Sequence, residues 1–228
     1  MKFSLRRTLA VALTVCASGF GSLSHAALLS EGFNNIGTLA GSGWVMTNLS
    51  TAGGTTGWYQ GQTSVFSAQA GPADSYIAAN YNNAPVGGAI QNWLITPSFT
   101  FDYFAQLSFW TRSDGNPDFG DRLQVRYSAT GSSNTAAFTQ VLMDINPNET
   151  PGNFFDVFTE LNALIGGSGG TGRIAFVYTS SNADHANYIG IDTVSVTAVP
   201  VTDSLALSAL GLGLLGVAGR RRQTKLAA

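Results

Sequence analysis

The chain has 228 residues, a formal charge of −2, one cysteine and two histidines. Those totals conceal a segregation: residues 27–199 contain no lysine and set four arginines (Arg112, Arg122, Arg126, Arg173) against twelve carboxylates, a formal −8. An acidic, lysine-free exterior repels nucleic acid and anionic lipid, so partners that need a basic patch are excluded.

At the N-terminus Lys2, Arg6 and Arg7 precede an apolar run from Leu9 to Val15, which fades into small residues ending Ser24-His25-Ala26. This pattern predicts a secretory signal peptide over residues 1–26, cleaved after Ala26. The run falls well short of the roughly 20 residues that cross a bilayer. The single cysteine, Cys16, lies inside it. The predicted mature chain therefore has no disulfide, no thiolate metal ligand and no thiol nucleophile, and must hold itself together by packing.

Residues 27–199 read as one all-β domain, a β-sandwich or jelly roll. Clusters of Gly, Ser, Thr and Asn separate short runs rich in Val, Ile, Phe, Tyr and Trp, and no stretch sustains helical spacing. Leu107, Phe109 and Thr111 interleave with Ser108, Trp110 and Arg112, and Ile174, Phe176 and Tyr178 enclose Ala175 and Val177; both runs are expected to be buried on two faces. Leu123, Val125 and Tyr127 alternate with Arg122, Gln124 and Arg126, a strand with one dry and one wet face. The run Gly166 to Gly172 is expected to be a turn between strands. Near the end of the domain, Ile189 and Ile191 share one parity and Val194 and Val196 the other, which predicts a β-bulge at Asp192-Thr193.

Residues 200–228 form a predicted tail. Ser204 to Gly219 carries no charge and is followed at once by Arg220, Arg221, Arg222 and then Lys225. This is the pattern of a hydrophobic membrane helix stopped by a basic cluster on the cytoplasmic side, which leaves the domain outside. Gly211, Gly213 and Gly216 match G-x-G-x-x-G, but no strand precedes them; they are expected to be packing glycines, not a dinucleotide loop.

Chemistry is sparse. His185 is the one histidine of the mature chain, so the common zinc sites cannot be assembled, and no G-x-S-x-G accompanies it. Glu31, Glu149 and Glu160 reveal no acid pair of the kind glycoside hydrolysis needs. The run Asp114 to Asp121 repeats oxygen ligands at alternate positions but has Phe119 where a calcium loop needs Gly, and reads first as a polar hairpin turn. Glu31 on the first strand and Asp192 on the last form the other acidic pair, with Asp192 as a metal ligand or as a carboxylate accepting backbone hydrogen bonds at the bulge. Of the four tryptophans, Trp93 and Trp110 are expected in the core. Trp58 between Gly57 and Tyr59-Gln60-Gly61 is the candidate exposed stacking site, with Tyr59 beside it.

Taken together, Glu31-Gly32-Phe33-Asn34, Gly57-Trp58-Tyr59-Gln60-Gly61, Ala68-Gln69-Ala70-Gly71-Pro72, Asn92-Trp93-Leu94-Ile95-Thr96-Pro97, Leu107 to Arg112, Asp121-Arg122-Leu123 and Tyr188-Ile189-Gly190-Ile191-Asp192 resemble, in order, the choice-of-anchor J domain. The tail is similar to PEP-CTERM sorting signals, with Pro200-Val201-Thr202 where those have Pro-Glu-Pro. Relatives include the cleaved adhesin domains of secreted proteases, jelly rolls with calcium between first and last strands. Their last strand ends in two adjacent aspartates; this chain has Asp192 followed by Thr193. The resemblance implies a structural Ca²⁺ at Glu31 and Asp192 and an exosortase-type enzyme acting on the tail. It also implies a non-catalytic role binding carbohydrate or matrix polymer outside the inner membrane or at the cell surface. A secreted glycan hydrolase using paired carboxylates is the alternative.

Overall fold

A computed structural model describes residues 27–166 and 169–199. The signal segment and the tail, with the expectations attached to them, lie outside the described residues. Among the described residues no helix is long and apolar enough to cross a membrane.

The domain is all-β, as the patterning predicts. Its strands in chain order are β1 (Ala27–Glu31), β2 (Val45–Asn48), β3 (Tyr59–Gln60), β4 (Ile77–Asn80), β5 (Ile90–Ile95), β6 (Phe99–Phe101), β7 (Phe104–Ser113), β8 (Arg122–Ser128), β9 (Gln140–Ile145), β10 (Thr159–Gly166), β11 (Gly170–Ser180) and β12 (Tyr188–Val199). One antiparallel sheet runs β10-β7-β12-β4-β3, the other β2-β5-β11-β8-β9. Each has a long central strand whose one edge is shared by two short partners in tandem. β12 pairs with β4 through Tyr188–Ile191 and with β1 from Val194 onward, and β11 pairs with β6 and then β5. The expected bulge lies between Asp192 and Ser195, at the handover from β4 to β1. It lets Ile189, Ile191, Val194 and Val196 all reach the main core.

That core fills the space between the sheets. Leu107 and Phe109 of β7 meet Leu94, Leu123, Val125, Phe176 and Tyr178 from the facing sheet, and the rings of Phe109 and Phe176 pack edge to face at 5.0 Å. Truncating a buried Phe of this kind costs roughly 3–5 kcal/mol, lost transfer energy plus the cavity left behind. The alternation in β8 is as predicted, with Leu123, Val125 and Tyr127 buried and Arg122, Gln124 and Arg126 half-buried. β11 is buried on both faces from Ile174 to Tyr178, as predicted. β7 is not: Ser108, Trp110 and Arg112 are half-buried, because only parts of their face are covered.

Two small clusters cover the outer faces. Outside the β12 sheet, the 61–76 segment lays Phe66 and Tyr76 over Ala78 and Tyr188. Tyr76 Oη lies within hydrogen-bonding distance of Gln62 O (2.9 Å), Phe66 O (3.1 Å) and Tyr188 Oη (3.0 Å). The Arg112 guanidinium lies 4.3 Å from the Phe66 ring centroid, a cation–π contact that closes the cluster. Gly190 is required beneath it: a Cβ there would come within 2.8 Å of the Tyr76 ring. Outside the other sheet, Phe138 packs on Trp93, Ile95, Ala175 and Val177.

One connection differs from its expectation. Asp114 to Asp121 is not a hairpin turn, since β7 and β8 belong to different sheets and the segment crosses between them. Its last residue, Asp121, is buried and accepts from Tyr178 Oη (2.6 Å) and from the Asn187 amide (2.8 Å), tying the crossing to β11 and the start of β12. Burial pushes its pKa up from the usual 3.8 to about 6.

Candidate functional site

The segment 49–58, between β2 and β3, folds back over the chain at 80–84. The Gly54 and Thr56 amides donate to Asn83 O and Asn82 O, and the Asn48 side-chain amide donates to both Thr56 O (3.2 Å) and Asn83 O (2.7 Å). Gly54 sits so close to that chain that a Cβ would lie 2.0 Å from Asn82 O. Beneath the segment runs a ladder of amides. Asn92 Nδ2 donates to Asn83 Oδ1 (2.8 Å), Asn83 Nδ2 donates to Thr56 Oγ1 (2.9 Å) and Gly57 O (3.1 Å), and Thr56 Oγ1 donates to Asn80 Oδ1 (2.8 Å). Asn83 pairs both its side-chain nitrogen and its side-chain oxygen there.

Asn92 does not. Its Oδ1 is buried with no protein partner, and so is Trp58 Nε1. Both residues line one open cavity of about 370 Å³ between β2 and the 53–57 segment. The same segment borders a second cavity of about 360 Å³ with Tyr59, Gln62 and Asn80, and a third of about 380 Å³ with Tyr81, Pro85, Val86 and Asp184. No charged residue lines the first two, in a domain with twelve carboxylates. Amides, hydroxyls and aromatic rings are what remain.

Trp58 corrects its sequence-based expectation. It is 6% exposed and part of the main core, so its ring is no open stacking platform. Glycines on both sides suggested a loop, whereas the ring folds inward beneath it. Tyr59 is half-buried with its ring edge-on to Tyr188 at 6.1 Å, and burial drives its hydroxyl pKa far up. Tyr81, 47% exposed, is the ring that presents itself, at the third cavity and not at that of Trp58 and Asn92, and the sequence reading passed over it. Trp93 is buried as expected, while Trp110 is only half-buried. Asn92 was also missed, although a signal existed: it occupies the core-facing parity of Ile90 and Leu94, where an unassisted amide is costly.

Glu31 and Asp192 occupy neighbouring strands, Glu31 opposite Val194. Glu31 Oε1 accepts the Phe33 amide at 2.7 Å. Asp192 is fully buried at the bulge, and burial raises its pKa against the pull of its donors. Its Oδ2 accepts the amides of Gln69 (2.8 Å) and Ala70 (3.1 Å), and its Oδ1 the Thr193 amide (2.6 Å) and hydroxyl (3.2 Å). Three backbone amides hold this one carboxylate, and the Thr193 hydroxyl, with a single proton, lies between it and Gln69 Oε1. A Ca²⁺ at Glu31 and Asp192 would have to displace these donors and draw most of its six to eight oxygen ligands from backbone carbonyls and water, since among the described residues no group of three or more acidic, His or Cys side chains lies together. The geometry is that of a carboxylate holding backbone amides.

Three further carboxylates are engaged locally. Asp144 is bidentate to Arg122 (2.7 and 2.9 Å) and takes Gln124 Nε2 at 2.8 Å; the Arg122 guanidinium holds its pKa below the usual range. Glu149 accepts from Ser180 and Ser181, and Glu160 from Ser108. The cavity of about 320 Å³ beside Arg122 and Glu149 is therefore lined by groups already paired with one another. His185 is exposed on a short 3₁₀ turn.

In overall architecture the domain is an adhesin-type jelly roll. It overlays the K1 cleaved adhesin domain of Lys-gingipain from Porphyromonas gingivalis W83 with a TM-score of 0.55 at 21% identity, over 75% of this chain and 98% of that one. The K3 cleaved adhesin domain of the same protein gives 0.52 at 17% identity, over 76% and 99%. At these identities the likeness is one of fold. No protein-family model and no curated protein matches the sequence.

Proposed function

We propose that this chain is an exported, surface-held, non-catalytic binding protein of the choice-of-anchor J kind that holds a neutral, hydroxyl-rich polymer of an extracellular polysaccharide or biofilm matrix. The observation that carries the reading is the uncharged cleft around residues 53–58, whose lining includes Asn92 and Trp58, each with one buried polar atom, Oδ1 and Nε1, that has no partner among the described residues. A hydroxyl group both donates and accepts, so sugar hydroxyls can answer atoms of either kind. Buried polar groups left unpaired discriminate strongly against ligands that cannot complete them. Tyr81, in the neighbouring cavity that residues 53–55 also line, supplies an exposed ring against which the apolar face of a sugar can lie. The adhesin-type fold supports a binding role.

In this proposal residues 1–26 direct export and the PEP-CTERM-like tail, residues 200–228, holds the chain in the inner membrane facing the periplasm until an exosortase-type enzyme releases it to the surface. The test is an array of neutral and acidic polysaccharides probed with the full chain in detergent, with reducing ends assayed on every polymer retained. Retention on neutral polymers with no new reducing ends is expected. Retention confined to polyanions overturns the ligand class, and release of reducing ends establishes the hydrolase alternative instead.

A further inference from the structure

The bulge brings together three groups that chemistry treats as a unit. Thr193 Oγ1 donates to Gln69 Oε1 at 2.9 Å, across 124 positions of chain, and lies 3.2 Å from Asp192 Oδ1. A carbonyl bond is about 1.2 Å long, so the Gln69 amide carbon is within about 4 Å of the hydroxyl oxygen. The hydroxyl has one proton and two acceptors. When that proton turns to Asp192, a lone pair on Oγ1 is left free to face the amide carbon.

The surroundings hold this arrangement. Asp192 is fully buried, and its second oxygen is fixed by the Gln69 and Ala70 amides, so the carboxylate is clamped to the segment that carries the electrophile. Nucleophile, base and a third group orienting the base are the signature of an activated hydroxyl. Thr193 has φ +48°, a left-handed conformation that a β-branched residue rarely adopts and that persists only where the surroundings impose it. Fixing both reactants in one folded domain supplies in advance the entropic part of the barrier to amide alcoholysis between free molecules.

We propose that Thr193 and Gln69 become joined by an intramolecular ester. Thr193 Oγ1 attacks Gln69 Cδ while Asp192 takes the hydroxyl proton. The Cδ–Nε2 bond then breaks, and the amide nitrogen leaves as ammonia carrying that proton. An amide and an alcohol become an ester and ammonia, with no oxidant and no cofactor. The product ties the 61–76 cover to the last strand in a domain that contains no cysteine.

The test uses the full chain recovered from cells, denatured and cut with trypsin. Between residues 27 and 199 trypsin has only arginines to cleave at, so Gln69 falls in a peptide ending at Arg112 and Thr193 in one beginning at Ile174. A single joined species, lighter than the sum of the two peptides by one ammonia and split by hydroxylamine, is expected. Thr193→Ser keeps a nucleophile and should keep the link, whereas Thr193→Val and Gln69→Glu should yield separate peptides. Separate peptides from the wild-type chain, with Gln69 intact after prolonged incubation of the folded protein at neutral pH, would overturn the proposal.

Discussion

Two buried polar sites in this domain answer the same physical demand in opposite ways. At the β12 bulge the Asp192 carboxylate accepts from three backbone amides; at the 53–58 cleft Asn92 and Trp58 each keep one polar atom without a partner among the described residues. Burying a polar group is tolerable when it is paired and costly when it is not. The first site therefore spends its polarity on the fold. The second keeps polarity in reserve at a cavity wall, which is what a ligand can use.

Breaking the saturated site should have the largest effect. Asp192→Ala strands the amides of Gln69, Ala70 and Thr193, at a cost of roughly 3–6 kcal/mol for three unsatisfied buried donors. In a domain of this size that lowers the melting temperature by about 6 °C or more. Asp192→Asn keeps one acceptor oxygen and should lose less. Because the donors here are amides and not an ion, melting curves in chelator and in millimolar calcium should coincide. A calcium-dependent rise abolished by Asp192→Asn or Glu31→Gln would restore the cation.

A second effect sharpens the contrast between paired and unpaired burial. Asp121 has a folded-state pKa of about 6 against the usual 3.8. An acid whose pKa is raised on folding binds its proton more tightly in the folded state, so stability is highest at about pH 4 and is lost as pH rises to about 6. At 1.36 kcal/mol per unit the loss is about 3 kcal/mol. Asp192, also raised, adds in the same direction. Asp144 is lowered by Arg122 and acts in the opposite sense, but only as pH falls through its ordinary value and below. Thermal melts between pH 4 and 7 should therefore show stability declining with pH, and Asp121→Asn should flatten most of that decline. An unchanged slope in Asp121→Asn would show that the burial penalty is carried elsewhere.

The smallest change probes the unsaturated site. Trp58→Phe removes one N–H and keeps most of the ring, so stability should shift by no more than about 1 kcal/mol while affinity for a neutral polymer falls roughly 2- to 13-fold, the worth of one hydrogen bond. Titration calorimetry measures the affinity and a melt measures the stability. Equal affinity in the two proteins would mean that the indole N–H serves no ligand.

The contrast also explains what the sequence could tell in advance. Period-two alternation identified β8, and the change of parity at Asp192-Thr193 located the bulge, because both are properties of one strand. The crossing at Asp114 to Asp121 was not legible as such: a polar loop between two strands looks the same whether they share a sheet or face each other. Trp58 failed for a related reason, since neighbouring glycines permit a loop without saying which way its ring turns. Asn48, Asn80, Asn83 and Asn92 look like ordinary turn residues singly, and only the folded chain stacks them into a ladder.

The tandem pairing along β12 has a mechanical consequence. Whatever holds the chain beyond Val199 pulls on a strand flanked by β7 on one side and by β4 and β1 on the other. Tension along that strand loads its hydrogen bonds in shear, so they must yield together instead of unzipping one at a time from an edge. Because β1 runs antiparallel, Ala27 lies opposite Thr197, near the C-terminal end of β12. If the proposed anchor holds the chain there, a load entering at the far end of the sandwich would cross the central strand before reaching it, and the domain would act as a stiff link.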